Sequence, residues 1–198
     1  MRNVILTINP GEVVVIVGAS GAGKTVFLRL IVGVAVNMKE ERYVPISGTI
    51  KVLLNVKVSS LIPNEFEPEF GEESILENLY KKTGDEQLAV EILNKAGLSD
   101  AILYRAKFAE LSTGQEERAK LASLLAEKLN LIVIDEFTAR LDALTVMRVA
   151  GKFSQLAREA GITLVLVTHK SEVIEAMEPD KVLFVGYGTI QEQLRRPR

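Results

Sequence analysis

The chain has no cysteine, no tryptophan and one histidine, and aromatic residues make up only 6% of it. Without cysteine there is no disulfide framework, no cysteine-ligated zinc and no thiol nucleophile. Charge of one sign is also scarce: a formal net charge of −2 gives no general attraction to nucleic acid or to an anionic membrane, so no specific nucleic-acid partner is indicated. Long hydrophobic runs are missing too. Val13–Val17 and Leu131–Ile134 are strand-sized and far below a membrane span, and Met1-Arg2-Asn3 before a short apolar run is no secretory signal. These absences predict a cytoplasmic protein, membrane-associated only through a partner. There is no internal repeat or low-complexity tract. What the chain does have is 47% hydrophobic residues in a length of 198, enough for one domain with a substantial core, or one domain carrying a small subdomain.

The most informative stretch is Gly18-Ala19-Ser20-Gly21-Ala22-Gly23-Lys24-Thr25. It fits G-x-x-x-x-G-K-[ST] and follows directly on the apolar run Val13–Val17. Such a pattern predicts a phosphate-binding loop, because glycines let the backbone turn tightly enough for successive N–H groups to point at phosphate oxygens. The helix predicted from Val26 to Val36 adds its unpaired N-terminal N–H groups and the positive end of its dipole. Lys24 then reaches the terminal phosphates, and the Thr25 hydroxyl is a ligand for Mg²⁺.

Around this loop, Asn3–Ile8 has strand-forming residues and Asn9-Pro10-Gly11 has turn chemistry, which predicts a hairpin leading into Val13–Val17. Tyr43–Ile62 is β-rich, with Thr49–Leu54 and Val56–Leu61 expected to form a strand pair. Apolar residues at helical spacing between Ile75 and Ala96, stopped by Gly97, predict a small helical subdomain over about residues 72–107. Leu144–Ala160 reads as an amphipathic helix ended by Gly161, followed by the strand Thr163–Val167, a short helix Glu172–Met177, and closing strands at Lys181–Val185 and Gly188–Ile190. The basic end Leu194–Arg198 has no packing signal.

Two further motifs carry chemistry. Leu111-Ser112-Thr113-Gly114-Gln115 opens a helix, and Ser112 with Gln115 three residues on makes a capping box that explains both residues locally. Leu131-Ile132-Val133-Ile134-Asp135-Glu136 is a buried strand ending in two carboxylates, which is costly unless something pairs with them. A Mg²⁺ ion beside the phosphate loop would pair with Asp135, and Glu136 could then act as general base toward an attacking water. His169 falls beyond the carboxyl end of the strand Thr163–Val167, where ligands of open α/β sheets bind.

This order of motifs resembles the ABC-type ATPase domains. GASGAGKT corresponds to their Walker A, LSTGQ to the LSGGQ signature, LIVIDE to Walker B with its following glutamate, Ala139-Arg140-Leu141-Asp142 to the D-loop, and His169 to the switch histidine. The similarity runs from about Asn3 to Ile190. It implies an α/β fold with a P-loop NTPase core, mostly parallel sheet flanked by helices, at about residues 1–63 and 108–190, together with an antiparallel β segment and the helical subdomain. It implies hydrolysis of ATP with Mg²⁺ in a head-to-tail dimer, two copies sandwiching two ATP molecules. Ser112, Gly114 and Gln115 of one copy, with Asp142 of the D-loop, would complete the site built on residues 18–26 of the other.

Departures from the family pattern carry expectations of their own. Asn64, beside Glu65, stands where members usually place a glutamine that touches Mg²⁺; Thr113 replaces a signature glycine and Arg140 a small D-loop residue. The upstream strand whose aromatic residue stacks on adenine has no counterpart after Met1, so the chain is expected either to be cut from a larger protein or to recognise the base weakly. Ile62–Phe70 and Leu103–Phe108 resemble ABC ATPases fused to an acetyltransferase-like domain. ATP hydrolysis coupled to an attached domain or partner protein is therefore the first expectation. The alternative is the nucleotide-binding subunit of a membrane transporter, working with membrane subunits.

Overall fold

Val13–Val17 is built wholly of valine and isoleucine, whose branched side chains favour extended backbone. It forms β1, with four of its five residues buried, and the rest of the sheet is laid out around it. The computed structural model describes residues 4–39, 49, 51, 56–63, 65–137 and 141–194. In chain order the elements are β1, α1 (Lys24–Ala35), β2 (Val58–Leu61), α2 (Ile75–Thr83), α3 (Glu86–Lys95), α4 (Ala101–Arg105), α5 (Thr113–Ala126), β3 (Leu131–Ile134), α6 (Ala143–Glu159), β4 (Thr163–Val167), α7 (Ser171–Met177), β5 (Lys181–Gly186) and β6 (Thr189–Leu194). The sheet order is β2-β3-β4-β1-β5-β6. Every neighbouring pair is parallel except β5 with β6.

Alternation along the strands divides the core into two layers. Val13, Val15, Ile132, Ile134, Leu164 and Leu166 face α6 and the leucines of α5, whereas Val14, Ile16, Val133, Val165, Val167 and Leu183 face α1 through Phe27, Leu28, Ile31 and Val32. The sheet is thus covered on both sides, as parallel strands require. Helix α5 serves two clusters. Leu121 and Leu124 join the sheet layer, while Ala119, Ala122 and Ala126 let α2 and α3 approach closely through Leu79, Ala89, Ile92 and Leu93. The segment carrying α2 to α4 is clasped where it leaves and rejoins the core. Phe70 and Phe108 stack with centroids 4.2 Å apart, and Ser74 bridges Lys107.

The expected hairpin of Asn3–Ile8 on β1 does not form: residues 4–8 carry no strand. Both edges of β1 are already taken, by β4 on one side and β5 on the other. The segment instead lays Leu6 and Ile8 on the α1 layer, and Lys181 fastens it by donating to the Thr7 carbonyl and to both oxygens of Glu12. Of the expected strand pair within Tyr43–Ile62, only the second strand falls among the described residues. Val58–Leu61 pairs in parallel with β3, and Thr49–Leu54 lies largely outside the described residues. Among the described residues the antiparallel strand pair is β5–β6, and β6 continues to Leu194, beyond the expected Ile190.

Gly18 shows why the loop after β1 needs glycine. A Cβ there would lie 2.1 Å from the Val185 carbonyl oxygen, at a backbone φ of 150°, so the loop and β5 could not stay in contact. Gly18→Ala should therefore destabilise the fold by roughly 1–3 kcal/mol, the usual cost of forcing extra volume into a packed interior. Urea unfolding measures it, and an unchanged midpoint would contradict this packing.

Candidate functional site

Residues 18–25 leave the carboxyl end of β1 and run straight into α1. Gly23 is the N-cap of α1 with a left-handed φ of 98°, a conformation that glycine adopts without a Cβ penalty. The first turn of α1 holds no acidic residue of its own, which leaves its positive end suited to an anion. Lys24 is buried, and its Nζ donates to the carbonyls of Gly18 (2.9 Å) and Ala19 (2.8 Å). An ammonium has three donors, so two brace the loop and one remains for a phosphate.

The loop meets the acidic strand end through one short hydrogen bond. Thr25 Oγ1 donates to Asp135 Oδ2 at 2.6 Å, across 110 positions of sequence. Asp135 is itself buried, and its N–H is held by the Leu61 carbonyl of β2 at 2.8 Å, while the N–H of Phe137 is held by the Val167 carbonyl of β4 at 2.9 Å. Glu136, pinned between them, adopts a left-handed φ of 55°. Non-glycine residues take that conformation only under constraint, and such residues concentrate at functional sites. Phe137 is the anchor, buried in the α6 layer against Phe153.

His169 follows β4 and is exposed. With Ser20, Lys24, Thr25, Asp135 and Glu136 it lines a cavity of about 240 Å³ above the carboxyl ends of the strands. The residues expected from the phosphate-loop, acidic-strand and histidine motifs are therefore brought together, and Val26 also lines the cavity. Thr25 and Asp135 present oxygen donors side by side, the donor type that a hard divalent cation takes. Among the described residues no group of three or more His, Cys, Asp or Glu forms a metal cluster.

Ser112, Gly114, Gln115 and Asp142 do not line this cavity. Ser112 caps α5, and its N–H donates to Gln115 Oε1 at 2.8 Å, so the expected capping box is present. Asp142 caps α6 by accepting from the N–H of Thr145 at 3.0 Å. The Thr145 side chain and backbone N–H hold its carboxyl below the ordinary carboxylate range, so this cap weakens as pH falls through that lowered pKa and stays intact above the unfolded value. Asn64, Ala139 and Arg140 lie outside the described residues.

Two features were not legible in the motifs. Glu65 forms a two-pronged ion pair with Arg29, whose Nε donates at 3.0 Å, tying the loop after β2 to α1. Glu65 was visible beside Asn64, but no spacing pattern marks Arg29 as its partner. Lys170, next to His169, donates from Nζ to the Leu141 carbonyl at 2.8 Å, so the histidine loop is tied to the residue before the Asp142 cap.

A model of the ABC transporter family matches residues 1–139. The chain is 32% identical over 217 residues to the methionine import ATP-binding protein MetN of Corynebacterium glutamicum, with 100% of this chain and 59% of that protein covered. It is also 32% identical over 212 residues to the lipoprotein-releasing system ATP-binding protein LolD of Coxiella burnetii, covering 99% and 88%. MJ0796, a bacterial ABC transporter cassette solved as a dimer, shares the fold with a TM-score of 0.75 at 25% identity, over 100% of this chain and 91% of that one. No helix among the described residues is long and apolar enough to cross a membrane. The matched residues include both the phosphate loop and the acidic strand end whose junction forms the cavity, and the chain belongs to the ABC transporter family as one of its ATP-binding, P-loop ATPase domains.

Proposed function

We propose that this chain is a single ATPase domain that binds and hydrolyses ATP with Mg²⁺ as a head-to-tail dimer, and that the dimer drives membrane subunits of a transporter. The observation that carries the proposal is the hydrogen bond between Thr25 and Asp135, which joins the phosphate loop to the acidic strand end in the same cavity as Glu136 and His169. The N–H groups of the loop and of the first turn of α1, with Lys24, take the phosphates. Thr25 and Asp135 would hold Mg²⁺, which when bound neutralises charge on the phosphate oxygens. Glu136 accepts a proton from a water as that water attacks the γ-phosphorus and the bond to the β-phosphate oxygen breaks, releasing ADP and phosphate. His169, at the cavity rim, steadies the γ-phosphate.

The signature residues act in trans. Ser112, Gly114 and Gln115 sit at the capped N-terminus of α5, itself a site for anions, yet they do not line the cavity of their own chain. A second copy turned head to tail brings them over the γ-phosphate, with Asp142 beside them, and MJ0796 was solved as a dimer.

The relatives favour membrane subunits as the partner. MetN and LolD are named for import and for lipoprotein release, and neither name points to the acetyltransferase-like fusion suggested by Ile62–Phe70 and Leu103–Phe108. The transporter alternative thus becomes the preferred reading and the attached domain the lesser one. In the transporter reading the Arg29–Glu65 pair passes movement of α1 to the segment leading into α2.

Lys24→Ala should abolish ATP binding, because no other basic residue lies in the loop. Equilibrium titration with a fluorescent ATP analogue reads this, and unchanged affinity would overturn the assignment. Glu136→Gln should retain nucleotide binding but slow hydrolysis by about 10²- to 10⁴-fold, the usual range for a lost general base. The slowed protein should accumulate as an ATP-bound dimer on size-exclusion chromatography with light scattering. Adding Ser112→Arg should return it to monomer with ATP present. A Glu136→Gln protein that binds ATP and stays monomeric at high concentration contradicts the sandwich, and one that hydrolyses at the unmodified rate contradicts the role of Glu136.

A further inference from the structure

A second cavity, of about 300 Å³, adjoins the first on the side away from Asp135. The two share Ser20 and Gly21, so they form one continuous trough. Its walls are residues 19–22 of the phosphate loop on one side and residues 184–187 of the β5–β6 hairpin on the other. The contact of Gly18 with the Val185 carbonyl holds these walls together, and the pairing of Val17 with Phe184 sets the hairpin turn level with the loop. Among the described residues no charged side chain lines this half of the trough.

Tyr187 stands at the mouth. It is fully exposed, at 102% of its reference area, and occupies the first position of the two-residue turn between Gly186 and Thr189. Tyr187 and Gly188 have φ of 50° and 75°, both positive, as in the turn that joins hairpin strands with the right twist. Such a turn favours Asn, Asp or Gly at its first position. A tyrosine there is unfavourable to the turn and contributes no burial, which points to a use outside folding.

We propose that Tyr187 is the platform for the nucleobase. The phosphates occupy the first cavity, the base lies in the second between the loop and the hairpin, and the Tyr187 ring stacks on it. A base is flat and uncharged, so it suits an uncharged slot flanked by Ala19, Ala22 and the Phe184 ring. This rests on the ATP-binding reading above. Stacking is tolerant of base identity because every base has a π-face, so adenine and guanine should be separated by less than tenfold.

The test uses the whole chain and isothermal titration calorimetry with Mg-ATP, Mg-GTP and inorganic tripolyphosphate. Tyr187→Asn restores the favoured turn sequence, so thermal stability without ligand should be unchanged or higher. Its affinity for Mg-ATP and Mg-GTP should fall roughly 5- to 150-fold, the range of one lost base stack. Tripolyphosphate affinity should not change, and Tyr187→Phe should bind all three ligands as the unmodified chain does. The proposal is overturned if Tyr187→Asn binds Mg-ATP as tightly as the unmodified chain, or if it loses tripolyphosphate and ATP alike. If the unmodified chain binds neither ATP nor tripolyphosphate, the phosphate site fails, and the base platform with it.

Discussion

The hydrogen bond from Thr25 to Asp135 is the contact on which the rest of the site depends. Its partners lie 110 positions apart, and both are held by the parallel sheet: Thr25 through α1, which packs on the face of β1, and Asp135 through the end of β3. A buried carboxylate is costly unless it is satisfied. Here the hydroxyl satisfies it while keeping both groups where oxygen ligands for a cation are wanted. The strand order makes this possible, since β4 alone separates β1 from β3 and lends the Val167 carbonyl that fixes Phe137. Glu136 is forced into its left-handed conformation by the same two clamps.

From that junction the trough runs in two directions, and its sides differ in chemistry. Toward β3 it has acids, the histidine and the hydroxyl, which suits phosphate, cation and water. Toward β5 it has alanines, an aromatic ring and a free tyrosine, which suits a base. The signature residues belong to neither side, because α5 carries them away between the sheet layer and the α2–α3 cluster. In the proposed function a single copy holds the nucleotide with its outer face open, and the second copy covers it.

Motif residues were legible in sequence because each lies within a few positions of a strand or helix end that periodicity also marks. Gly18–Thr25, Asp135-Glu136 and His169 fell together as soon as the three strands before them were placed side by side. Pairing was less legible. Asn3–Ile8 has the composition of a strand, yet β1 had no free edge to offer it, and edge occupancy is a property of the whole sheet. The pairing of Val58–Leu61 with β3, 73 positions downstream, was likewise not marked by any local pattern. Arg29 and Tyr187 carried no signal, because an ion pair between separate elements and an aromatic residue at a hairpin tip obey no local spacing. Tyr187 could have been noticed only as a residue ill-suited to the turn chemistry of Tyr187-Gly188.

If Thr25 and Asp135 form one oxygen clamp for a cation held against the phosphate loop, the most direct measurement is the affinity of Asp135→Asn for ATP with Mg²⁺ and with EDTA. An asparagine can still accept from the Thr25 hydroxyl, so the loop stays in place. In EDTA the variant should bind ATP at least as tightly as the unmodified chain, since a negative charge near the phosphates has gone. Adding Mg²⁺ should strengthen binding by the unmodified chain and leave the variant unchanged. An equal gain from Mg²⁺ in both proteins would contradict the clamp.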